Sequence, residues 1–196
     1  TAKIMEIPFD LPGFDLDAFV HATLAEDLGP TGRDVTSESV IPADMRFAGV
    51  MDSRDPIVVA GLPIAAEFFR HLDPDIELEV LAHEGHGVEA GTDLMRIRGK
   101  ARAMLTAERS ALNTVQHLSG IATMTRRYVE AIDGLSPNPH GCEILDTRKT
   151  LPGLRQAQKY AVRVGGGRNQ RLALWHGILI KENHIAAAGG VPQVMQ

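Results

Sequence analysis

The stretch CEILDTRKTLPGLRQAQKYAVRVGGGRNQRLALWHGILIKENH, residues 142–184, decides how the chain is read, because it sets a dense group of cations between two short apolar runs. It holds eight Lys or Arg residues (Arg148, Lys149, Arg155, Lys159, Arg163, Arg168, Arg171, Lys181) against three acids (Glu143, Asp146, Glu182), a formal +5. The whole chain is −5, so the remainder carries −10. The positive charge is therefore local, unlike the broad basic face that nucleic acid requires. A confined cationic patch suits a small polyanion.

Within this stretch the order is strand, cationic turn, helix, glycines, strand. Residues 143–145 read as a short strand ending in Asp146-Thr147-Arg148-Lys149, and Pro152-Gly153 breaks the chain before a helix over 154–164. Leu154, Ala157, Ala161 and Val164 share one face of that helix, and Gly165-Gly166-Gly167 stops it. Residues 177–180 read as a second buried strand delivering Lys181, Asn183 and His184. In parallel α/β architectures ligands gather at the carboxyl ends of strands. Arg155, Lys159 and Arg163, four apart, read as solvated charges on a helix face. Arg148, Lys149 and Lys181 sit at strand ends, where a cation needs a partner to offset its desolvation, and they read as functional. The three glycines close a helix rather than open one and no Gly-Lys-Ser/Thr follows, which excludes a P-loop reading.

The 196 residues, 44% hydrophobic and 23% charged, belong to an ordinary globular protein. No apolar run is long enough to cross a bilayer, and the first residues lack a signal-peptide layout, so no membrane partner is expected. The single Cys142 has no internal disulfide partner, and the cytoplasm is the expected compartment. Both ends read as cut: residue 1 is Thr, and residues 191–196 read as the first turn of a helix. With two candidate strands after His140, the chain is not expected to close a barrel by itself.

Upstream, residues 15–28 read as a helix capped by Asp15 or Asp17, with Phe19, Val20, Leu24 and Leu28 recurring at helical spacing. Strands are expected at 46–52, 57–60 and 76–81, a helix at 62–72 with Ile64, Phe68 and Phe69 inward, and a strand pair over 88–99 around Ala90-Gly91. His83 and His86, with His71 further back, lack a third ligand at metal-site spacing and read as solvated. Residues 102–132 read as one long helix, with a bend allowed at Ser119-Gly120 and a stripe of Leu105, Leu112, Val115, Leu118, Ala122 and Val129. Pro137 and Pro139 fall in the loop after it. The expected fold class is α/β: an N-terminal α+β sandwich domain (1–104), then the long helix and an incomplete α/β barrel (105–196).

The strings DTRKTLPGLR, KYAVRVGGGRNQRLAL and ILIKENHI, with ERSALNTVQHLSGIAT in the long helix and the weaker EDLG (26–29) and DVT (34–36), resemble the motifs of the quinolinate phosphoribosyltransferase family. Four ordered matches are far more specific than a lone glycine-rich loop. The resemblance implies transfer of phosphoribose from phosphoribosyl pyrophosphate to quinolinate with loss of carbon dioxide, and Mg²⁺ on the pyrophosphate. It implies that Arg148, Arg171 and, from the neighbouring subunit of a homodimer, Arg109 hold quinolinate. Lys149 and Lys181 then face the phosphoribosyl pyrophosphate side as the catalytic cations, with Thr147, Gln170, Asn183 and His184 as further binding residues. Arg suits carboxylates through its planar fork and Lys suits phosphate as a compact charge. Gln170 departs from the family, which commonly has His there; a neutral amide donates a hydrogen bond but adds no charge. The acids that handle ribose and metal in the family lie beyond Gln196. Two other readings stand beside this one: a molybdenum-transport-associated relative of the same fold, and a non-catalytic dimerisation fragment, whose open apolar faces would aggregate or unfold.

Overall fold

The computed structural model describes residues 8–138 and 141–196, so Pro139 lies outside the described residues. Helix α1 (Leu16–Leu28) starts where Asp15 accepts the Ala18 N–H at 2.9 Å, and Gly29 ends it at φ 61°. Asp34 caps α2 (Val35–Val40) in the same way, taking the Ser37 N–H and hydroxyl as well as the Thr106 hydroxyl. The Ser37 bonds hold the Asp34 carboxyl below the usual carboxylate range.

Strands β1 (Arg46–Asp52) and β2 (Ile57–Val58) are followed by α3 (Leu62–Leu72), β3 (Glu77–Val80), β4 (Gly87–Val88) and β5 (Asp93–Lys100). An antiparallel sheet runs β1-β5-β3, and β2 pairs with β4 in a separate ribbon. The strand pair expected over 88–99 is thereby corrected, since β4 and β5 lie in different sheets. The eight-residue β5 buries Leu94, Met95 and Ile97 and takes a partner on both sides, whereas the two-residue β4 has reach for one short pairing.

Helix α3 buries Ile64, Ala65, Phe68 and Phe69. It begins at Gly61, where φ is 98° and an added Cβ would lie 2.8 Å from Leu118 Cδ1. Helix α4 (Ala101–Ile132) runs 32 residues without a break at Ser119-Gly120. Val115, Leu118 and Ala122 of the expected stripe are buried, but Leu105 is exposed, and apart from Met104 the rest of the buried face is small: Ala101, Ala107, Ser110, Ala111, Ser119 and Thr125. Such small side chains let a neighbouring helix lie close, which an apolar-periodicity reading does not register. Ser119 Oγ both accepts the Ala60 N–H (3.0 Å) and donates to the Ala60 carbonyl (3.1 Å).

Helix α5 (Arg155–Val164) packs on α4 through Ala157, Tyr160, Ala161 and Val164, all wholly buried. It stops at Gly165, where a Cβ would come within 2.5 Å of the Ala122 carbonyl oxygen, and Gly166 takes φ 96°. Short helices α6 (Glu182–Ala188) and α7 (Val191–Val194) follow. The fold is mixed α/β, and no described helix is long and apolar enough to cross a membrane.

Both strands expected in the cationic stretch are corrected. Residues 143–145 contribute a single parallel bridge, Leu145 to Arg168, and Leu145 is 55% exposed. Residues 177–180 form no strand, and Ile178 is 94% exposed. A four-residue apolar run reads as a buried strand only if a sheet and a cover meet it, and among the described residues neither does.

Glu84 joins the two halves. Its carboxylate accepts the Gly61 and Leu62 N–H groups at 2.8 and 3.0 Å, capping α3, and the Tyr160 hydroxyl at 2.7 Å from α5. Burial pushes the Glu84 carboxyl above its usual range, against the pull of those donors, and burial beside Glu84 pushes the Tyr160 phenol up. Tyr160→Phe keeps the ring and removes a hydrogen bond to a charged acceptor, so we expect a loss of about 1.5–3 kcal/mol near neutral pH. Without the Tyr160 donor, Glu84 titrates higher still in the folded state. The folded variant then binds more protons than the wild type in that window, and its deficit grows as pH rises above Glu84's ordinary 4.5. Urea denaturation of both proteins from pH 4.5 to 8 checks this; a deficit independent of pH would show that the loss is not tied to the charge on Glu84, and no deficit at any pH would leave the Tyr160–Glu84 bond without energetic weight.

Candidate active site

Three of the cationic side chains expected in the site, Arg148, Lys149 and Arg171, are carried by two turns that lie side by side. The Arg168 N–H donates to the Ile144 carbonyl at 2.8 Å and the Asp146 N–H to the Arg168 carbonyl at 3.1 Å, a two-rung parallel ladder. Gly167 makes this approach possible, since a Cβ there would meet Val162 Cγ1 at 2.8 Å and Thr125 Cγ2 at 3.0 Å. Beyond the ladder the backbones part, one leading into Thr147-Arg148-Lys149 and the other into Gln170-Arg171.

The divergence is held by a buried ion pair that the sequence did not point out. Lys159, read there as a solvated helix-face charge, has a side chain only 1% exposed, and its Nζ lies 2.5 Å from Asp146 Oδ1. This is a correction with a geometric cause. Lys159 lies opposite the apolar face of α5, but the paired 144–146 and 168–170 segments cover that side too. Asp146 Oδ1 also accepts the Gln170 N–H at 2.9 Å, and Asp146 Oδ2 accepts Asn169 Nδ2 at 2.7 Å. Arg163, from the same expected solvated set, is half-buried and donates to Asn169 Oδ1 and the Asp10 carbonyl. Asp146, Lys159 and Asn169 are the residues sequence reasoning missed. An acid directly after an apolar run was the available signal.

Thr147 and Lys149 are exposed and Arg148 is half-buried. Thr147 Oγ1 accepts the Lys149 N–H at 3.1 Å, which folds the turn back on itself. Arg148 and Arg171 each bury an Nε atom that has no hydrogen-bond partner among the described residues. A buried guanidinium N–H left unpaired is costly, and an anion is the ligand that removes the cost. Arg171 Nη1 donates to the Gly177 carbonyl at 3.2 Å, tying this turn to the segment that leads to α6. There Lys181, Asn183 and His184 are exposed. His184 Nδ1 accepts the Lys181 N–H at 2.9 Å, which fixes the ring with its proton on Nε2 and makes His184 a cap of α6.

Arg109 is placed elsewhere. It is exposed on α4, in a cleft of about 780 Å³ between α4 and strands β1 and β5, where Phe47, Asp52, Arg54, Leu105 and Gln116 are also found. No residue of 142–184 lines that cleft, and Arg109 makes no ion pair or hydrogen bond among the described residues. Within one chain, then, two turns are brought together and Arg109 is not.

Comparison with known proteins bears on both halves. The model of the family described as quinolinate phosphoribosyl transferase, N-terminal domain, matches residues 34–119, and that of the C-terminal domain matches 121–196. The chain is 43% identical over 180 residues to a chloroplastic nicotinate-nucleotide pyrophosphorylase [carboxylating] of Arabidopsis thaliana, covering 92% of this chain and 49% of that protein. It is 43% identical over 185 residues to a probable enzyme of that name from Synechocystis, covering 94% and 60%. The solved nicotinate-nucleotide pyrophosphorylase of Francisella tularensis superposes with a TM-score of 0.81 at 37% identity, over 99% of this chain and 65% of that one. NadC from Streptococcus pyogenes does so with 0.83 at 36%, over 96% and 64%. The chain thus spans about half the length of its plant relatives and under two thirds of the solved chains. Two adjoining matches to the two domains of one family, together with these superpositions, settle the kinship: the chain belongs to the quinolinate phosphoribosyltransferase family.

Proposed function

We propose that the chain carries the anion-gathering part of an enzyme that joins quinolinate to the ribose of phosphoribosyl pyrophosphate and releases pyrophosphate and carbon dioxide, leaving nicotinate mononucleotide for NAD biosynthesis. The observation that carries this reading is the pair of half-buried arginines, Arg148 and Arg171, each with an Nε unpartnered among the described residues, on two turns gripped together by Asp146.

In this reading Arg148 and Arg171 take the two carboxylates, with Gln170 and Thr147 as neutral donors beside them. Lys149 and Lys181 meet the phosphates, and Asn183 and His184 flank them. The pyridine nitrogen displaces pyrophosphate from the anomeric carbon, so positive charge builds on the ribose while the leaving oxygen becomes negative. Fixed cations around that oxygen lower the barrier without a protein nucleophile. The carboxylate beside the nitrogen then leaves as carbon dioxide; its electron pair stays on that ring carbon, stabilised by the adjacent pyridinium nitrogen, until a proton from solvent takes the vacated position. Arg109 belongs, in the same reading, to the site of the partner subunit in a homodimer. Its exposure in a cleft apart from residues 142–184 supports that role.

Mg²⁺ finds no fitting donor set here. Asp146, the acid nearest the cationic turns, commits both oxygens to Lys159, Gln170 and Asn169, and no group of three or more metal-ligating side chains occurs among the described residues. We therefore treat the ion as part of the pyrophosphate substrate and derive no step through it. Cys142, free and exposed, fits a reducing compartment such as the cytoplasm.

Calorimetric titration of the full-length natural protein with quinolinate and with nicotinate tests the reading. Quinolinate is expected to bind at least about tenfold more tightly, since the second carboxylate is worth a charge-assisted pair. Equal or absent binding of both overturns it.

A further inference from the structure

We propose that Asp146 and Lys159 are positioning residues whose buried ion pair sets the spacing between the turn bearing Arg148 and Lys149 and the turn bearing Gln170 and Arg171. For its ligand the proposal rests on the quinolinate reading above. The backbone ladder between the two segments ends after the Asp146 N–H, and the next rung is made by a side chain: the Gln170 N–H goes to Asp146 Oδ1 at 2.9 Å. Lys159 Nζ, besides its bond to Asp146, donates to the Gln170 carbonyl at 3.3 Å. Both backbone polar groups of Gln170 are therefore held by the one pair. Asn169 Nδ2 bridges Asp146 Oδ2 and the Lys159 carbonyl at 2.7 and 2.8 Å, so the grip includes α5.

A side-chain rung reaches farther than a backbone rung. It lets the two chains separate at this point while their relative position stays fixed. The side chains are 1% and 6% exposed, and apolar residues of similar volume would serve packing equally well. What apolar residues would not supply is an acceptor for the Gln170 N–H and a donor for its carbonyl.

The double variant Asp146→Leu/Lys159→Met, in the full-length natural protein, removes both charges together with the acceptor for the Gln170 N–H and the donor to its carbonyl, and leaves no unpaired buried ion. The expected result is a folded protein in which the amides of Gln170 and Arg171 exchange hydrogen at least about tenfold faster while those of α4 do not change. Its KM for quinolinate rises about 10- to 100-fold with kcat at saturation far less affected, the signature of misplaced binding groups. Unchanged exchange and unchanged KM would overturn the proposal. If the wild-type protein does not bind quinolinate, the exchange measurement decides alone: faster exchange at Gln170 and Arg171 upholds the positioning role while the substrate reading falls, and unchanged exchange ends both. Should the double variant fail to fold, Asp146→Glu keeps both charges and shifts the acceptor by one methylene. It is expected to fold and to raise KM in the same way; a wild-type KM in that variant refutes the spacing role.

Discussion

In the full-length natural protein, mixing an Arg109→Ala variant with an Arg171→Ala variant is expected to restore about a quarter of wild-type activity once subunits have exchanged, each variant alone being expected to lose about 100-fold or more. The loss follows from removing one member of a charge-assisted carboxylate pair, worth about 2–5 kcal/mol when the pair is desolvated. The restoration follows from where the two residues lie. Arg171 sits on the turn held by Asp146, while Arg109 stands on α4 in a cleft that none of residues 142–184 lines. If each site draws Arg171 from one chain and Arg109 from the other, a mixed dimer has one intact site and one doubly deficient one. Random exchange makes about half the dimers mixed, hence about a quarter of the activity. Absence of recovery, with exchange verified by differently tagged subunits, would mean that Arg109 serves its own chain or no site at all.

Lys159→Met alone is expected to cost about 3–5 kcal/mol, because it leaves the Asp146 carboxylate buried with no cation. For a chain of this size that lowers the melting temperature by roughly 6–20 °C. Adding Asp146→Asn to the same protein returns most of the loss, while Lys149→Met, at an exposed position a few residues away, stays within about 0.5 kcal/mol of wild type. Thermal melts followed by circular dichroism separate these cases. A Lys159→Met protein as stable as wild type would show that the pair is not desolvated as the structure has it.

Much of the N-terminal half was legible in the sequence because its elements bury one face against one neighbour. β1 spans 46–52 and α3 spans 62–72 as the apolar pattern required, and Asp15 caps α1. The pattern misled where burial came from two sides or from none. Lys159 lies on the polar side of α5 by periodicity, yet a second layer covers it. Residues 177–180 are apolar, yet no described residue forms a sheet against them. Of the candidate site, the two cationic turns were visible as charge following apolar runs. The carboxylate that joins them was counted only as a charge, because hydrogen bonds between turns 24 residues apart leave no periodic trace. Likewise the pairing of β5 with β1 and β3, rather than with β4, depends on strand lengths and not on the turn at Gly91.

The two family matches meet at Gly120, and that residue lies inside α4, which is unbroken over 32 residues or about 48 Å. The halves therefore do not turn about a flexible joint; they are mounted on one spindle. Toward its first half the spindle carries the cleft of Arg109. Toward its second it carries Thr125 and Arg126, against which the end of α5 is seated, with Arg126 donating to the Gly165 carbonyl at 2.9 Å. Each residue of a helix advances its phase by about 100°. One residue inserted at Gly120 would swing the cationic turns about a quarter of a revolution away from their present bearing on the sheet. β5 runs directly into α4 at Lys100–Ala101, so changes of length are tolerable only after the helix ends at Ile132, and within it the residue count fixes the angle at which the two halves face a neighbouring molecule.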